Sequence, residues 1–231
     1  MTIASMAGRN TGIAVDAVCR RPMSLAWPAI LLISTIAGAD VDVPLFSGDI
    51  SGWQQQHFRG QTQYQVVELD QRPVLQSTSR NSASALFIRR RVDLFQTPYL
   101  SWQWRVDRLP GTGDERTRAG DDYAARVYVV IDGGWLPWRA QAVNYVWANR
   151  MPAGSEWDNA YAGSRVKMLA LRSSEDGLAV WQREKRDVRD DLRRLHGRET
   201  RYIDGVAIMT DSDDNGGEAL AYYAAIAFTR D

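Results

Sequence analysis

Apolar and polar residues alternate along most of the chain in short runs broken by turn residues, the pattern of strands with one buried face. In the clearest run Leu100, Trp102, Trp104 and Val106 take one face, and Ser101, Gln103, Arg105 and Asp107 take the other. This predicts Trp102 and Trp104 in the core with Arg105 opposite, because a slip of one residue would turn both indoles outward. Similar runs at Tyr64–Glu68, Ser84–Val92, Tyr123–Ile131, Ala142–Ala148, Val166–Arg172, Leu178–Arg186, Val206–Thr210 and Ala221–Phe228 bring the expectation to nine strands. Only Asp187–His196 carries a helical period, with Val188, Leu192 and Leu195 on one side, Asp187 to cap its start and Gly197 to end it. On that helix Asp190 and Arg194 stand at the spacing of a surface pair. The fold class expected is all-β: a two-sheet antiparallel β-sandwich, jelly-roll-like, with one short helix.

The alternating pattern starts only after a different kind of segment. Arg20 and Arg21 precede an uncharged stretch, Leu25 to Ala39, that ends in Ala37-Gly38-Ala39 before Asp40. A basic start, an apolar middle and a small-x-small end describe a secretory signal, so residues 1–39 are read as a signal peptide and 40–231 as one β-sandwich domain. The stretch is shorter than the ~20 apolar residues that span a bilayer and is interrupted by Pro28, so no stable membrane span is expected once the leader is removed. The expected location is periplasmic or secreted. The only cysteine, Cys19, lies in the leader, which leaves the mature domain without disulfides, thiol chemistry or cysteine-ligated zinc. With 28 basic and 28 acidic residues in 231, the chain has no net field to draw it onto nucleic acid, and none is expected as a partner.

Candidate chemistry is narrow. His57 and His196 lie near no second ligand at metal spacing, and no G-x-S-x-G elbow, phosphate loop or dinucleotide fingerprint occurs, so no nucleotide or redox cofactor is expected. Thr210–Gly217 offers Asp211, Asp213 and Asn215 at alternate positions followed by Gly216, the first half of a calcium loop, but Tyr222 stands where a closing Glu belongs. Two readings remain: a calcium site at Asp211, Asp213 and Asn215, or a polar hairpin. Arg126 and Tyr128 share a strand face, and if Arg105 lies in the same sheet that face is suited to carboxylates or vicinal hydroxyls; buried Arg–Asp pairing is the competing account. A third group is aromatic: Trp135, Trp138, Trp147 and Trp157, the last followed by Asp158 and Asn159. Indoles beside carboxylates and amides suit sugar rings, although any single Trp can equally cap the sandwich.

The stretches Leu100–Leu109, Gly120–Val130, Asn144–Asn149, Trp181–Val188 and Gly205–Phe228 resemble, in order, an exported bacterial family catalogued as domain of unknown function 3047. More loosely, the final aromatic strand after an acidic turn is similar to jelly-roll carbohydrate-binding modules, though Ala224-Ala225 stands where those carry an acid. The first reading is a non-catalytic binder of a saccharide or similar small polar ligand through Arg105, Arg126, Tyr128, Trp147, Trp157, Asp158 and Asn159. The alternatives are a carboxylate-dependent glycan hydrolase or lyase using Asp121 or Asp122 with Arg126, and a structural subunit of an envelope assembly.

Overall fold

The computed structural model of the chain describes residues 42–111, 113–132 and 139–231. The expected leader and the Trp135 and Trp138 loop lie outside these residues. Thirteen strands are described: β1 (Val43–Phe46), β2 (Gln54–Arg59), β3 (Gln63–Leu69), β4 (Arg72–Arg80), β5 (Ala83–Asp93), β6 (Tyr99–Arg108), β7 (Ala125–Ile131), β8 (Gln141–Trp147), β9 (Glu156–Asn159), β10 (Gly163–Arg172), β11 (Gln182–Asp187), β12 (Tyr202–Asp211) and β13 (Glu218–Thr229). They form two sheets. One runs β11-β6-β13-β4-β3 with β1 also on β13, and the other runs β2-β5-β12-β7-β8-β10-β9. The β-sandwich class is as expected, with two corrections.

First, β1, β2, β4 and β9 were not among the nine strands expected. The inward residues of β4 include Ser77 and Ser79, which bond across the sandwich to the Thr210 and Ser212 hydroxyls of the β12 end, at 2.7 and 2.8 Å. Hydroxyls satisfied in this way can be buried without an apolar side chain, so β4 shows no hydrophobic alternation. β3 and β4 are joined by Asp70 and Gln71, both at positive φ (55° and 59°), a two-residue turn whose twist suits a hairpin. Second, β10 pairs β8 in parallel. The chain leaves β8, runs out to edge strand β9 and returns between the two, and a connection of that length permits parallel pairing.

The inner faces meet in one core containing Trp102, Trp104, Trp147, Tyr145, Leu100, Val127 and Phe228. Trp102 and Trp104 are 1% and 0% exposed and pack edge to face at 5.3 Å between centroids, while Arg105 lies on the outer side. In β13, Tyr223 points inward and Tyr222 outward; a bulge at Ala225 (φ 49°) then shifts the parity so that Ile226 and Phe228 return to the core. The helix α1 (Val188–His196) follows the expected limits: the Asp187 carboxylate accepts the Asp190 N–H, and left-handed Gly197 donates its N–H to the Arg193 carbonyl. Its charges do not pair as expected. Arg193 pairs with Asp190, whereas Arg194 pairs with Glu156 and with buried Asp191, which also accepts from Arg186 and the Tyr145 hydroxyl. The helix is thereby clamped to both sheets.

Candidate functional site

The site is built where the seven-stranded sheet meets two acidic loops. On β7, Ala125, Val127 and Val129 fill the core, so the period of two turns Arg126 and Tyr128 to the outer face. Neighbouring strands present Ala83 and Ala85 from β5, Ala207, Met209 and Asp211 from β12, and Phe58 from β2 on the same face. Small residues in the middle and larger ones around them leave a half-open cavity of about 110 Å³, walled on its far side by Asn159, Tyr161 and Val166.

The loop carrying Asp121 and Asp122 is held by close packing. A Cβ on Gly120 would stand 2.3 Å from the Asp114 carbonyl oxygen, so only glycine fits. Buried Glu115 accepts three backbone N–H groups, from Asn149, Arg150 and Met151, which ties this loop to the segment after β8. Asp122 accepts the Asp214 and Asn215 N–H groups at 3.1 and 2.6 Å and so joins the loop to the β12–β13 turn.

Arg126 is 2% exposed and organises the floor. Its Nε donates to Asp211 Oδ1 at 3.0 Å, its Nη2 donates to Asp211 Oδ2 and to the Asp121 carbonyl, and its Nη1 donates to the Tyr128 hydroxyl at 3.1 Å. Its plane lies 4.2 Å from the Tyr123 ring centroid. Asn159 donates to both oxygens of Asp121 while its own oxygen accepts the Tyr161 and Ala162 N–H groups. Tyr161 donates to Asp214 at 2.6 Å. Burial pushes the Asp121 carboxyl up, against the Arg126 charge. The Asp213 carboxyl is also pushed up, by burial and then by the Asp214 and Asp122 charges, against the charge of Arg126; exposed Arg59 stands at 4.0 Å. The opening is therefore acidic around one buried guanidinium.

Of the residues expected from sequence, Arg126, Tyr128, Asn159, Asp211 and Asp213 converge here. Others do not. Arg105 belongs to the other sheet, with Asp107 as its partner at 2.6 Å, so the two arginines never share a face. Trp147 is a core residue whose indole N–H donates to the Ser173 carbonyl. Trp157 is half-buried against the outer-face cluster around Met168, and Asp158 on edge strand β9 pairs with Lys167 on β10. Asn215 is exposed and its backbone N–H is used by Asp122. The group whose carboxylate oxygens lie within 4.8 Å of one another, and which could hold a metal ion, is Asp122, Asp211 and Asp213. Of the acids of the turn, Asp211 pairs with Arg126, which arrives from β7, in line with the buried Arg–Asp account. Phe58, Met209 and Tyr161 were not expected; only Tyr161, at the end of the aromatic Gly154–Tyr161 stretch, left a sequence signal.

Comparison with known proteins adds the family. Residues 51–227 match the family described as Protein of unknown function (DUF3047). The chain belongs to this family. A search of curated proteins finds no match. Among solved structures, the chain is similar to the family 30 carbohydrate-binding module of a cellulosomal cellulase of Clostridium thermocellum, at 12% identity and a TM-score of 0.50, over 82% of this chain and 98% of that one. A second family 30 module aligns at 11% identity and 0.46, over 82% and 88%. The xyloglucanase domain of NopAA from Sinorhizobium fredii, in complex with cellobiose, aligns at 10% and 0.44, over 78% and 93%. At such identities the likeness establishes the jelly-roll sandwich fold alone.

Proposed function

We propose that this DUF3047 protein is an exported, non-catalytic saccharide binder whose site is the cavity over Arg126. The observation that carries this reading is the composition of one concave surface: apolar and aromatic walls from Phe58, Tyr128, Met209 and Tyr161 beside Asp121, Asn159 and Asp214, which are held by hydrogen bonds, and half-buried Asp213. A sugar ring has the same division, an apolar face and a rim of hydroxyls, and a half-open cavity of this size accommodates part of one ring rather than a buried polymer. Catalysis by Asp121 is disfavoured because its carboxylate is already engaged by Asn159 and Arg126 and is almost wholly covered. The test is a glycan array on exported protein, whose mass also reports whether it begins at Asp40, followed by calorimetry with Tyr161→Ala. Loss of that wall is expected to weaken the best ligand by about 10-fold or more, equivalent to ~1.4 kcal/mol. No ligand on the array, or unchanged affinity in Tyr161→Ala, refutes the site; release of reducing sugar in the same assay moves the protein to the hydrolase reading.

The same reading includes a cation, calcium, between Asp122, Asp211 and Asp213. Three carboxylates and no nitrogen or sulfur donor suit a hard ion. Asp211 already shares its oxygens with Arg126, so affinity is expected in the weak ~10⁻⁴–10⁻³ M class. Calcium at 10 mM would then add roughly 1.4–2.7 kcal/mol of stability. A thermal melt in calcium and in chelator checks this: Asp122→Asn is expected to abolish the calcium shift and Asn215→Ala to keep it. Identical midpoints with and without calcium in the unsubstituted protein would mean that no cation binds.

A further inference from the structure

The end of β12 away from the cavity carries a group of exposed arginines. β12 is ten residues long, from Tyr202 to Asp211, which separates the two ends by about 30 Å. At the Tyr202 end, arginine and aromatic side chains alternate in one ladder. Arg189 lies 4.2 Å from the Phe95 centroid, Arg201 lies 5.5 Å from Phe95 and 5.1 Å from Tyr202, and Arg91 lies 4.2 Å from Tyr202. Asp93 and Glu199 are already taken by Arg201 and Arg189. Arg90, Arg91 and Arg198 are exposed and form no salt bridge among the described residues, while the Asp93 carboxyl is lowered first by its hydrogen bond from Arg201 and further by the charge of Arg91. Phe95 is 50% exposed in the midst of these cations. It is held there by the turn after β5, where its N–H donates to Asp93 Oδ1 at 3.0 Å.

We propose that this end docks on the anionic headgroups of a lipid bilayer, with the cavity directed away from the membrane. Guanidinium groups match phosphate oxygens, and each basic residue near an anionic surface adds about 1 kcal/mol, or roughly 5-fold in affinity. The half-exposed ring is what separates a bilayer from a soluble polyanion: an aromatic side chain ringed by cations enters the headgroup layer while the charges stay at its surface. Stacking on Phe95 and Tyr202 also restrains the arginines before contact, which reduces the entropy lost on binding.

The experiment is co-sedimentation of the full chain with vesicles of phosphatidylcholine alone or with 30% phosphatidylglycerol, the fraction being chosen as about the anionic content that raises a strong surface potential. Binding is expected to be about 100-fold tighter on the anionic vesicles at low salt and to fall steeply at ionic strengths where the screening length drops below ~8 Å. Arg90→Gln/Arg91→Gln/Arg198→Gln should remove most of that preference. The equally discharged Arg139→Gln/Arg183→Gln/Arg230→Gln should keep it, and Phe95→Ser should weaken binding while leaving the salt dependence. Arg9, Arg20 and Arg21 are common to all variants, so the two triple variants are compared with each other on the same vesicles. Equal binding to the two vesicle types, or equal loss in both triple variants, overturns the proposal. It is also overturned if a single-stranded oligonucleotide binds with the same sensitivity to Arg90, Arg91 and Arg198 and the vesicles do not, which assigns the patch to a soluble polyanion.

Discussion

Trp104→Ala is expected to lower stability by about 3–5 kcal/mol, the range for removing a buried aromatic, and to reduce the melting midpoint by roughly 6–20 °C. Trp104 is 0% exposed and stands between Trp102 and Trp147, with centroids at 5.3 and 5.9 Å. Its removal opens a void bounded by two large rigid rings from different strands, which cannot both move in to close it. The indole N–H also donates to Glu184 at 3.0 Å, so the substitution removes a link between β6 and the edge strand β11 and leaves Glu184 with Arg172 of the other sheet as its partner. Arg105→Ala, one residue along and on the outer face, is the matched control and should cost less than about 1 kcal/mol, as expected for a partly exposed pair with Asp107. A chemical-denaturation series on both variants checks the difference. Equal midpoints would mean that the face assignment of β6 is wrong.

Asp211→Ala is expected to be as costly, about 3–5 kcal/mol, for an electrostatic reason. It leaves the Arg126 guanidinium buried with only Asp121 near it, at 3.6 Å, and also removes the acceptor of the Tyr123 N–H. The double variant Asp211→Leu/Arg126→Met should cost less than Asp211→Ala alone, because no unpaired charge remains inside. Asp213→Asn should go the other way in chelator at neutral pH. The carboxyl of Asp213 is pushed above its ordinary value of 3.8, so its stabilising contribution is full below that value and is lost as pH rises through the folded-state value. Removing the ionisable group lifts the penalty and raises the midpoint at pH 7, with little effect at pH 3. A pH series of melts separates the three variants; a double variant no more stable than Asp211→Ala would show that the unpaired guanidinium is not the source of the cost.

Period-2 alternation was enough to read β6, β7, β8 and β13 and to assign the inward indoles of β6, because burial on one face imposes itself directly on the order of residues. The same rule, applied along Asn144–Trp147, places Trp147 on the side of Tyr145, in the core; reading it as a ligand contact gave loop chemistry precedence over strand parity. The caps of α1 were legible for the same local reason, since Asp187 and Gly197 act on backbone groups within four residues of themselves. Alternation assigns a face but not a sheet. Arg105 and Arg126 have the same local pattern and end on different sheets, because pairing partners are chosen by contacts distant in the chain. The site depends wholly on such contacts: Arg126 meets Asp211 across 85 positions, and Asp122 reaches Asn215 across 93. Neither approach leaves a trace in the spacing of neighbouring residues. The sequence by itself thus determined nine of the described strands, the faces of the regularly alternating ones and the short helix, all products of local geometry and burial, whereas the tertiary structure alone decided which sheet each strand joins and which charges neutralise each other.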